Sequence, residues 1–189
     1  MTHQFMEQLA NDLADARIAT LRFNFPYKEH GGRRPDREAV LLETVRAAVA
    51  TGREAARRLP VFVGGKSMGG RMASRAMAAG QLDVEGIVFF GFPLHVAGKP
   101  NVRRAAHLTR VQQPMLFLQG TRDRLADLEL MRHVVADLGE LATLHVIDGA
   151  DHSFNMLKRS GRTAADAVTE LAQRSAEWMM QLGVNSSKK

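Results

Sequence analysis

The 189-residue chain is long enough for one domain with a sizeable core, and its composition, 45% hydrophobic and 24% charged, is typical of a folded protein and not of a disordered one. The absence of cysteine excludes disulfides, cysteine-ligated metals and a cysteine nucleophile. The net charge of +6 comes from arginines spread along the chain, and with one Trp, one Tyr and no accompanying motif it favours a solvated surface over a nucleic-acid-binding one.

Five short apolar runs predict the β-strands. They lie at residues 18–23, 60–63, 86–90, 115–118 and 143–147. Because the apolar residues follow one another with little alternation, these strands are expected to be covered on both faces. Such strands are typical of a parallel sheet.

Longer segments with helical spacing lie between or beside these runs, at residues 5–16, 38–56, 71–79, 128–138 and 163–182. Gly183 is expected to end the last helix, and a short helix is expected at 105–108. The connection that contains it, residues 91–113, is too short for a large cap domain. The alternation predicts an α/β fold with a mostly parallel sheet and helices on both faces, in one domain over residues 1–184 with a tail at 185–189.

A glycine-rich segment joins the strand at 60–63 to the helix at 71–79. Its residues 65–69 (GKSMG) fit the pattern G-x-S-x-G, with a further glycine on each side. In a nucleophile elbow the serine sits on a sharp strand-to-helix turn, and the glycines leave room for that turn. The hydroxyl of Ser67 would project at a helix N-terminus, whose dipole favours developing negative charge. The pattern therefore predicts Ser67 as a nucleophile.

A serine nucleophile needs a histidine base and an acid that orients it, and both are expected on loops after later strands. Asp123 comes shortly after the strand at 115–118, and His152 follows the strand at 143–147. Both loops should open at the same edge of the sheet as Ser67. Asp148 and Asp151 are alternative acids, although their closeness to His152 favours a role in shaping its loop. The other histidines are interpreted as structural or surface residues: His3, His30, His95, His107, His133 and His145.

Motifs spread over nearly the whole chain resemble one subset of the α/β hydrolases. They are residues 21–27 (LRFNFPY), 33–36 (RRPD), 64–71 (GGKSMGGR), 91–95 (GFPLH), 119–123 (QGTRD) and 149–152 (GADH). The subset is that of dienelactone-hydrolase-like bacterial proteins related to the testis-expressed and NSL-complex hydrolase-like subunits. The resemblance implies the α/β-hydrolase fold, a triad of Ser67, Asp123 and His152, and an oxyanion-hole N–H from Met68. It implies no particular substrate.

The chain departs from this fold before its first predicted helix. The fold normally has an earlier strand ending in a His-Gly-Ala-Gly type loop, which supplies the second oxyanion N–H. No residues here correspond to that strand and loop. The strand would lie between the run at 18–23 and the one leading into Ser67, so its loss would expose apolar edges or make the two neighbours pair directly. We therefore expect an N-terminally shortened domain that is missing one or more N-terminal strands.

Two functions of different classes fit these features. The first is a serine hydrolase for esters, thioesters or similar acyl compounds, with an open site for small or flexible substrates. Arg33 and Arg34 follow a predicted strand end, where they could contact an anionic substrate group or remain solvated. The alternative, favoured by the missing oxyanion loop, is a hydrolase-like binding or scaffold protein that keeps Ser67 unused. A phosphate-binding loop fails because Pro60 stands where its first glycine is required.

The expected partner is a small-molecule acyl substrate, and no organic cofactor or metal is implied. No signal peptide is visible after Met1, and the apolar run at 87–94 is too short to span a bilayer. Together with the absence of cysteine, these features predict a soluble cytoplasmic protein that binds neither nucleic acid nor membranes.

Overall fold

A computed structural model of the chain describes residues 3–186. Within this range the α-helices are α1 Gln4–Asp15, α2 Pro26–Glu29, α3 Glu38–Ala56, α4 Met68–Ala78, α5 Leu128–Leu138 and α6 Ala164–Ser186. The strands are β1 Phe62–Lys66, β2 Gly86–Phe90, β3 Met115–Gly120 and β4 Ala142–Ile147. From β1 onward an α-helix follows β1, β3 and β4, and two short 3-10 turns follow β2, which is typical of an α/β fold.

The four strands form one parallel sheet in the order β1-β2-β3-β4, which is also their order along the chain. β2 and β3 occupy the centre and every residue of both is buried, which explains their continuous apolar sequences. The strands end at the same edge of the sheet, so the loops that follow them lie together there. The strands predicted at four places are confirmed, with ends that shift by a few residues: 60–63, 86–90, 115–118 and 143–147.

Helices cover both faces of the sheet, because successive strand residues point to opposite faces. On one face Phe89 and Phe117 stack with ring centroids 4.6 Å apart in a core shared with α3, α4 and α5. On the other face Phe90 and Leu118 belong to a second core shared with α1 and α6. The predicted two-sided covering of the sheet is therefore confirmed.

α1 and α6 also pack against each other on the second face. The side-chain amide of Gln8 donates a hydrogen bond to the carbonyl of Ala165 at 3.1 Å. The hydroxyl of Thr169 donates one to the carboxylate of Asp12 at 2.9 Å. Each bond joins residues 157 positions apart in the chain, so this contact ties the first described helix to the last.

The strand predicted at 18–23 is wrong. Residues 18–25 have no regular secondary structure, and among the described strands β1 pairs with β2 alone. A strand is stable when its backbone groups are paired, and this apolar run finds no strand to pair with. Leu21 and Phe23 remain 47% and 37% exposed, and Arg22 Nη1 is buried with no hydrogen-bond partner in the described residues. Two apolar side chains of this segment are therefore exposed, and direct pairing with β1 does not occur.

The helices differ from the predicted ones mainly at their ends. α4 begins at Met68 and includes two glycines that the helical pattern had left out. α6 continues through Gly183 to Ser186, so the stop predicted at Gly183 is wrong; a single glycine near a helix end is tolerated there. The predicted tail at 185–189 therefore begins inside α6, and residues 187–189 lie outside the described residues. The unpredicted α2 begins with Pro26 at its first position, where proline is favoured.

The connection between β2 and β3 crosses the carboxyl edge of the sheet without forming a cap. It holds two short 3-10 turns, Arg103–Ala105 and Leu108–Arg110, where one short helix was predicted at 105–108. No helix within residues 3–186 is long and apolar enough to span a membrane.

Candidate active site

Ser67 joins β1 to α4 in a sharp turn. Its backbone has φ 51° and ψ −114°, which residues other than glycine seldom adopt. The Ser67 N–H donates a hydrogen bond to the carbonyl of Phe90 at 3.1 Å, and this bond ties the turn to the end of β2. Because Ser67 directly precedes α4, the positive end of the helix dipole lies at the turn.

Two glycines make this turn possible. A Cβ on Gly65 would lie 2.4 Å from the backbone nitrogen of Gly70, and a Cβ on Gly70 would lie 2.7 Å from the carbonyl oxygen of Gly65. Both distances are too short for a side chain, so the two backbone segments can approach this closely only at glycine. Gly69 has open space where a Cβ would stand. Of the two glycines after Ser67, Gly70 is thus the one that the close approach requires.

His152 and Asp123 meet Ser67 at the carboxyl edge of the sheet. His152 Nε2 lies 2.9 Å from Ser67 Oγ, and His152 Nδ1 lies 2.7 Å from Asp123 Oδ2. An ionised carboxylate can only accept, so Nδ1 carries the imidazole proton and the Nε2 lone pair faces the serine hydroxyl. The Asp123 side chain is fully buried, and that of His152 is 21% exposed. The alternative acids Asp148 and Asp151 have other hydrogen-bond partners.

Two groups that sequence reasoning missed hold the Asp123 carboxylate in place. The Gln119 side chain donates to Asp123 Oδ2 and accepts the N–H of Phe92 at 3.0 Å. The Leu125 N–H donates to Asp123 Oδ1 at 2.7 Å. Gln119 is fully buried near the end of the otherwise apolar β3, and a polar side chain at such a position is a signal that could have identified it. Gln119 thereby couples the loops after β2 and β3.

Asp151 shapes the loop that carries His152. Its carboxylate accepts the N–H groups of Ser153 at 2.8 Å and of Asn155 at 2.9 Å. Burial alone would raise the pKa of Asp151, but the hydrogen bonds from Asn155 and Ser153 outweigh it and lower the pKa below its usual range. The ionised carboxylate therefore stabilises the loop conformation that presents the imidazole.

The sequence model of one family, described as Alpha/beta hydrolase domain, matches residues 1–180. The chain belongs to this alpha/beta hydrolase family. The match includes all four strands and each member of the Ser67, His152 and Asp123 chain of hydrogen bonds.

Solved structures similar to this alpha/beta hydrolase cover most of its length. An alpha-beta serine hydrolase homologue from Coxiella burnetii is 21% identical, with a TM-score of 0.72 over 93% of this chain and 77% of that one. An a/b serine hydrolase without lid from Xanthomonas campestris is 22% identical, with a TM-score of 0.71 over 94% and 75%. A dienelactone hydrolase from Anabaena variabilis is 23% identical, with a TM-score of 0.70 over 95% and 80%. The similarity shows that the chain has the alpha/beta hydrolase fold.

In this alpha/beta hydrolase Met68 is the first residue of α4. The N–H groups of the first helical turn have no carbonyl partner within the helix, which leaves that of Met68 available as the predicted oxyanion donor. No strand precedes β1 in residues 3–186, and no His-Gly-Ala-Gly type loop occurs among them. Among the described residues, the candidate oxyanion donor is therefore the Met68 N–H of the elbow.

Lys66, the elbow residue before Ser67, contacts α1, and the sequence did not predict this contact. Its Nζ is 4.6 Å from the centroid of the Phe5 ring, a cation–π contact. Burial lowers the pKa of the Lys66 ammonium, and the carboxylates of Asp151 and Asp123 partly oppose this effect. Lys66 thus links α1 electrostatically to the two loops of the site.

Arg33 and Arg34 lie exposed in the loop between α2 and α3. Within residues 3–186, no hydrogen bond or ion pair joins either guanidinium to Ser67 or to His152. Their contact with an anionic substrate group stays a prediction.

Three other histidines stabilise the fold through side-chain hydrogen bonds. His95 Nε2 accepts a backbone N–H of the loop before α5 at 2.8 Å. His107 Nε2 lies 2.8 Å from Ser74 Oγ, and His145 Nε2 lies 2.7 Å from a carboxylate oxygen of Glu170. No group of three or more His, Asp or Glu side chains in the described part of the chain is arranged to hold a metal ion.

Proposed function

We propose that this alpha/beta hydrolase cleaves acyl esters or thioesters, with Ser67 as nucleophile, His152 as general base and acid, and Asp123 as the group that orients the imidazole. The observation that carries the proposal is the pair of hydrogen bonds from His152, 2.9 Å to Ser67 Oγ and 2.7 Å to Asp123 Oδ2. Nucleophile, acid and histidine also follow one another in the chain order usual for this fold. Within the family, the six motifs support a relation to the dienelactone-hydrolase-like proteins and the testis-expressed and NSL-complex subunits.

Acylation begins when His152 Nε2 takes the hydroxyl proton of Ser67 and Oγ bonds to the acyl carbon. The carbonyl oxygen becomes an oxyanion, which the Met68 N–H and the positive end of the α4 dipole stabilise. Asp123 stabilises the imidazolium without taking its proton. The imidazolium then protonates the leaving alcohol or thiol as its bond to the acyl carbon breaks, and the acyl group remains on Ser67.

Water completes the reaction. His152 removes a proton from a water molecule, whose oxygen attacks the acyl carbon, and the proton passes to Ser67 Oγ as the ester bond breaks. The product is a carboxylic acid, and the serine is regenerated. Ser67 and His152 are only partly buried, which favours access by small or flexible substrates.

The test combines labelling by a fluorophosphonate probe with hydrolysis of short p-nitrophenyl esters. Ser67→Ala should abolish labelling and lower kcat by at least about 10⁴-fold, because the nucleophile is lost. Ser160→Ala removes the hydroxyl of an exposed serine and is the matched control, which should leave labelling and hydrolysis unchanged.

The outcome that would contradict the proposal is a folded wild-type chain, checked by circular dichroism, that neither reacts with the probe nor hydrolyses esters of any acyl length. A hydrolase-like binding or scaffold protein would then be favoured. In that second function the elbow is retained and Ser67 is unused.

A further inference from the structure

An open cleft of about 430 Å³ lies beside α4. It is formed by α4 and by the 3-10 turns of the connection between β2 and β3. Its lining residues are Arg75, Arg103, Ala106, His107, Thr109 and Arg110. Arginines are the charged residues of this lining, which contains no acidic side chain, so the potential in the cleft is positive.

The positive charge of the cleft is only partly neutralised. Arg75 has a carboxylate partner, Glu38, with Arg75 Nη2 2.7 Å from Glu38 Oε1. Arg103 and Arg110 are exposed, and neither guanidinium forms an ion pair or a hydrogen bond with another described residue. Two such guanidinium groups at the border of one cleft can bind the same multivalent anion through parallel N–H···O bonds.

Two further arginines extend the positive charge from the cleft toward Ser67. Arg71 lies on α4, one helical turn after Ser67 and one turn before Arg75. Arg104 donates a hydrogen bond to the carbonyl of His95 at 3.0 Å. Burial, then the neighbouring Arg104 and Arg75, lower the pKa of the Arg71 guanidinium, so these like charges are close enough to repel one another. A bound anion would relieve that repulsion.

His107 contributes a wall of the cleft but no charge at neutral pH. It is buried, with Nε2 2.8 Å from Ser74 Oγ on α4. Burial, followed by the charges of Arg75, Arg71 and Arg110, lowers the pKa of His107 to about 4. Burial and the neighbouring arginines thus both disfavour a protonated His107, and the charge of the cleft is carried by its arginines.

We propose that this cleft binds a phosphate group of the acyl substrate on which Ser67 acts, an inference that rests on the proposed function. Phosphate offers several charged acceptor oxygens to the guanidinium groups of Arg103 and Arg110. Arg71 and Arg75 follow Ser67 by four and eight residues, so they stand roughly 6 and 12 Å from it along the helix axis. The substrate class is an ester or thioester that carries a phosphate roughly 12 Å from the scissile carbonyl.

The first experiment measures anion binding, which does not depend on Ser67. Inorganic pyrophosphate is titrated calorimetrically into the wild-type chain and into two double variants. The cleft variant carries Arg103→Gln and Arg110→Gln, and the control variant carries Arg58→Gln and Arg159→Gln. Both double variants lose two positive charges from exposed positions, and Arg58 lies before β1, beyond the opposite edge of the sheet from Ser67. The cleft variant should bind at least about tenfold more weakly, because it loses both free guanidinium groups, and the control variant should bind like wild type. Equal weakening in both variants, or no saturable binding by wild type, would overturn the inference.

The second experiment connects the cleft to the reaction. Two p-nitrophenyl esters with one acyl chain are compared, and the chain of one of them ends in a phosphate group roughly 12 Å from the carbonyl. The wild-type and control chains should prefer the phosphorylated ester in kcat/KM, mainly through KM, and in the cleft variant the ratio should fall toward one. If the wild-type chain hydrolyses the two esters with equal kcat/KM and through Ser67, this inference is overturned and the proposed function stands. If neither ester is hydrolysed although pyrophosphate binds in the cleft, the proposed function fails, and the substrate assignment fails with it.

Discussion

Two serine–histidine pairs of this chain have nearly the same separation but different surroundings. His152 Nε2 lies 2.9 Å from Ser67 Oγ, and His107 Nε2 lies 2.8 Å from Ser74 Oγ. The carboxylate of Asp123 stands behind the first histidine and can stabilise an imidazolium. Arginines surround the second and disfavour its protonation, and the hydroxyl beside it is fully buried. The first pair is suited to proton transfer, and the second to holding α4 against its neighbouring loop.

The stability of the chain at acid pH is expected to depend on His107. Its pKa in the folded chain is about 4, below the ordinary value of 6.5. The unfolded chain therefore binds the proton more readily, and the free energy of unfolding should fall by up to roughly 3 kcal/mol as the pH drops through this range. His107→Gln should show a smaller fall than wild type in urea unfolding between about pH 7 and pH 4. His30→Gln, at an exposed histidine, should keep the wild-type fall; equal falls in all three chains would contradict the prediction.

The residues of the candidate site were predictable to different degrees. Ser67, Asp123 and His152 follow β1, β3 and β4 in a fixed order, and that order is visible in the sequence. The partners of Asp123 were not visible in the same way. Gln119 and the Leu125 N–H reach its carboxylate through the folded arrangement of two loops, which no local pattern encodes.

Elements with strong local signals were predicted well, and those that depend on a distant partner were not. The bounds predicted for β2, α3 and α5 agree with the structure, because each has a continuous apolar run or a regular helical stripe. Residues 18–23 also form a mostly apolar run, yet the fold gives them no strand to pair with. The helical pattern predicts a start at residue 71 because Gly69 and Gly70 are weak helix formers. The turn at Ser67 instead makes α4 begin at Met68.

The turn between β1 and α4 should tolerate alanine at one glycine and not at another. In Gly65→Ala the new Cβ would lie 2.4 Å from the backbone nitrogen of Gly70, so the turn must open. The free energy of unfolding should fall by at least about 1–3 kcal/mol, and most Ser67-dependent hydrolysis should be lost. Gly69→Ala meets no atom within 4 Å and should stabilise the chain by about 0.5–1 kcal/mol, because alanine is the better helix former. Urea unfolding and ester hydrolysis measure both effects. Similar stabilities of the two variants would show that the close approach does not constrain the turn.

At the scale of the whole molecule, the sheet separates two cores that should respond independently to substitution. Phe89 stacks on Phe117 in one core, and Phe5 belongs to the other. In double-mutant cycles with leucine, Phe89 and Phe117 should be coupled by about 0.5–1.5 kcal/mol, because each loses a ring contact to the other. Phe89 and Phe5 should be additive within about 0.3–0.5 kcal/mol. Coupling of equal size in both cycles, measured by urea unfolding, would mean that the sheet transmits packing changes between its faces.

The packing of α1 on α6 also bears on how the protein is made. A ribosome synthesises α1 before the four described strands and α6 after them, so one face of the sheet lacks its second helix until α6 has been made. During that interval Val88, Phe90, Leu116 and Leu118, all buried in the finished fold, face an incomplete cover. A nascent chain with such a surface is a natural client for chaperones that bind apolar segments near the ribosome. Contact of α6 with α1 joins residues 157 positions apart, and the entropy loss of closing such a loop grows only slowly with its length.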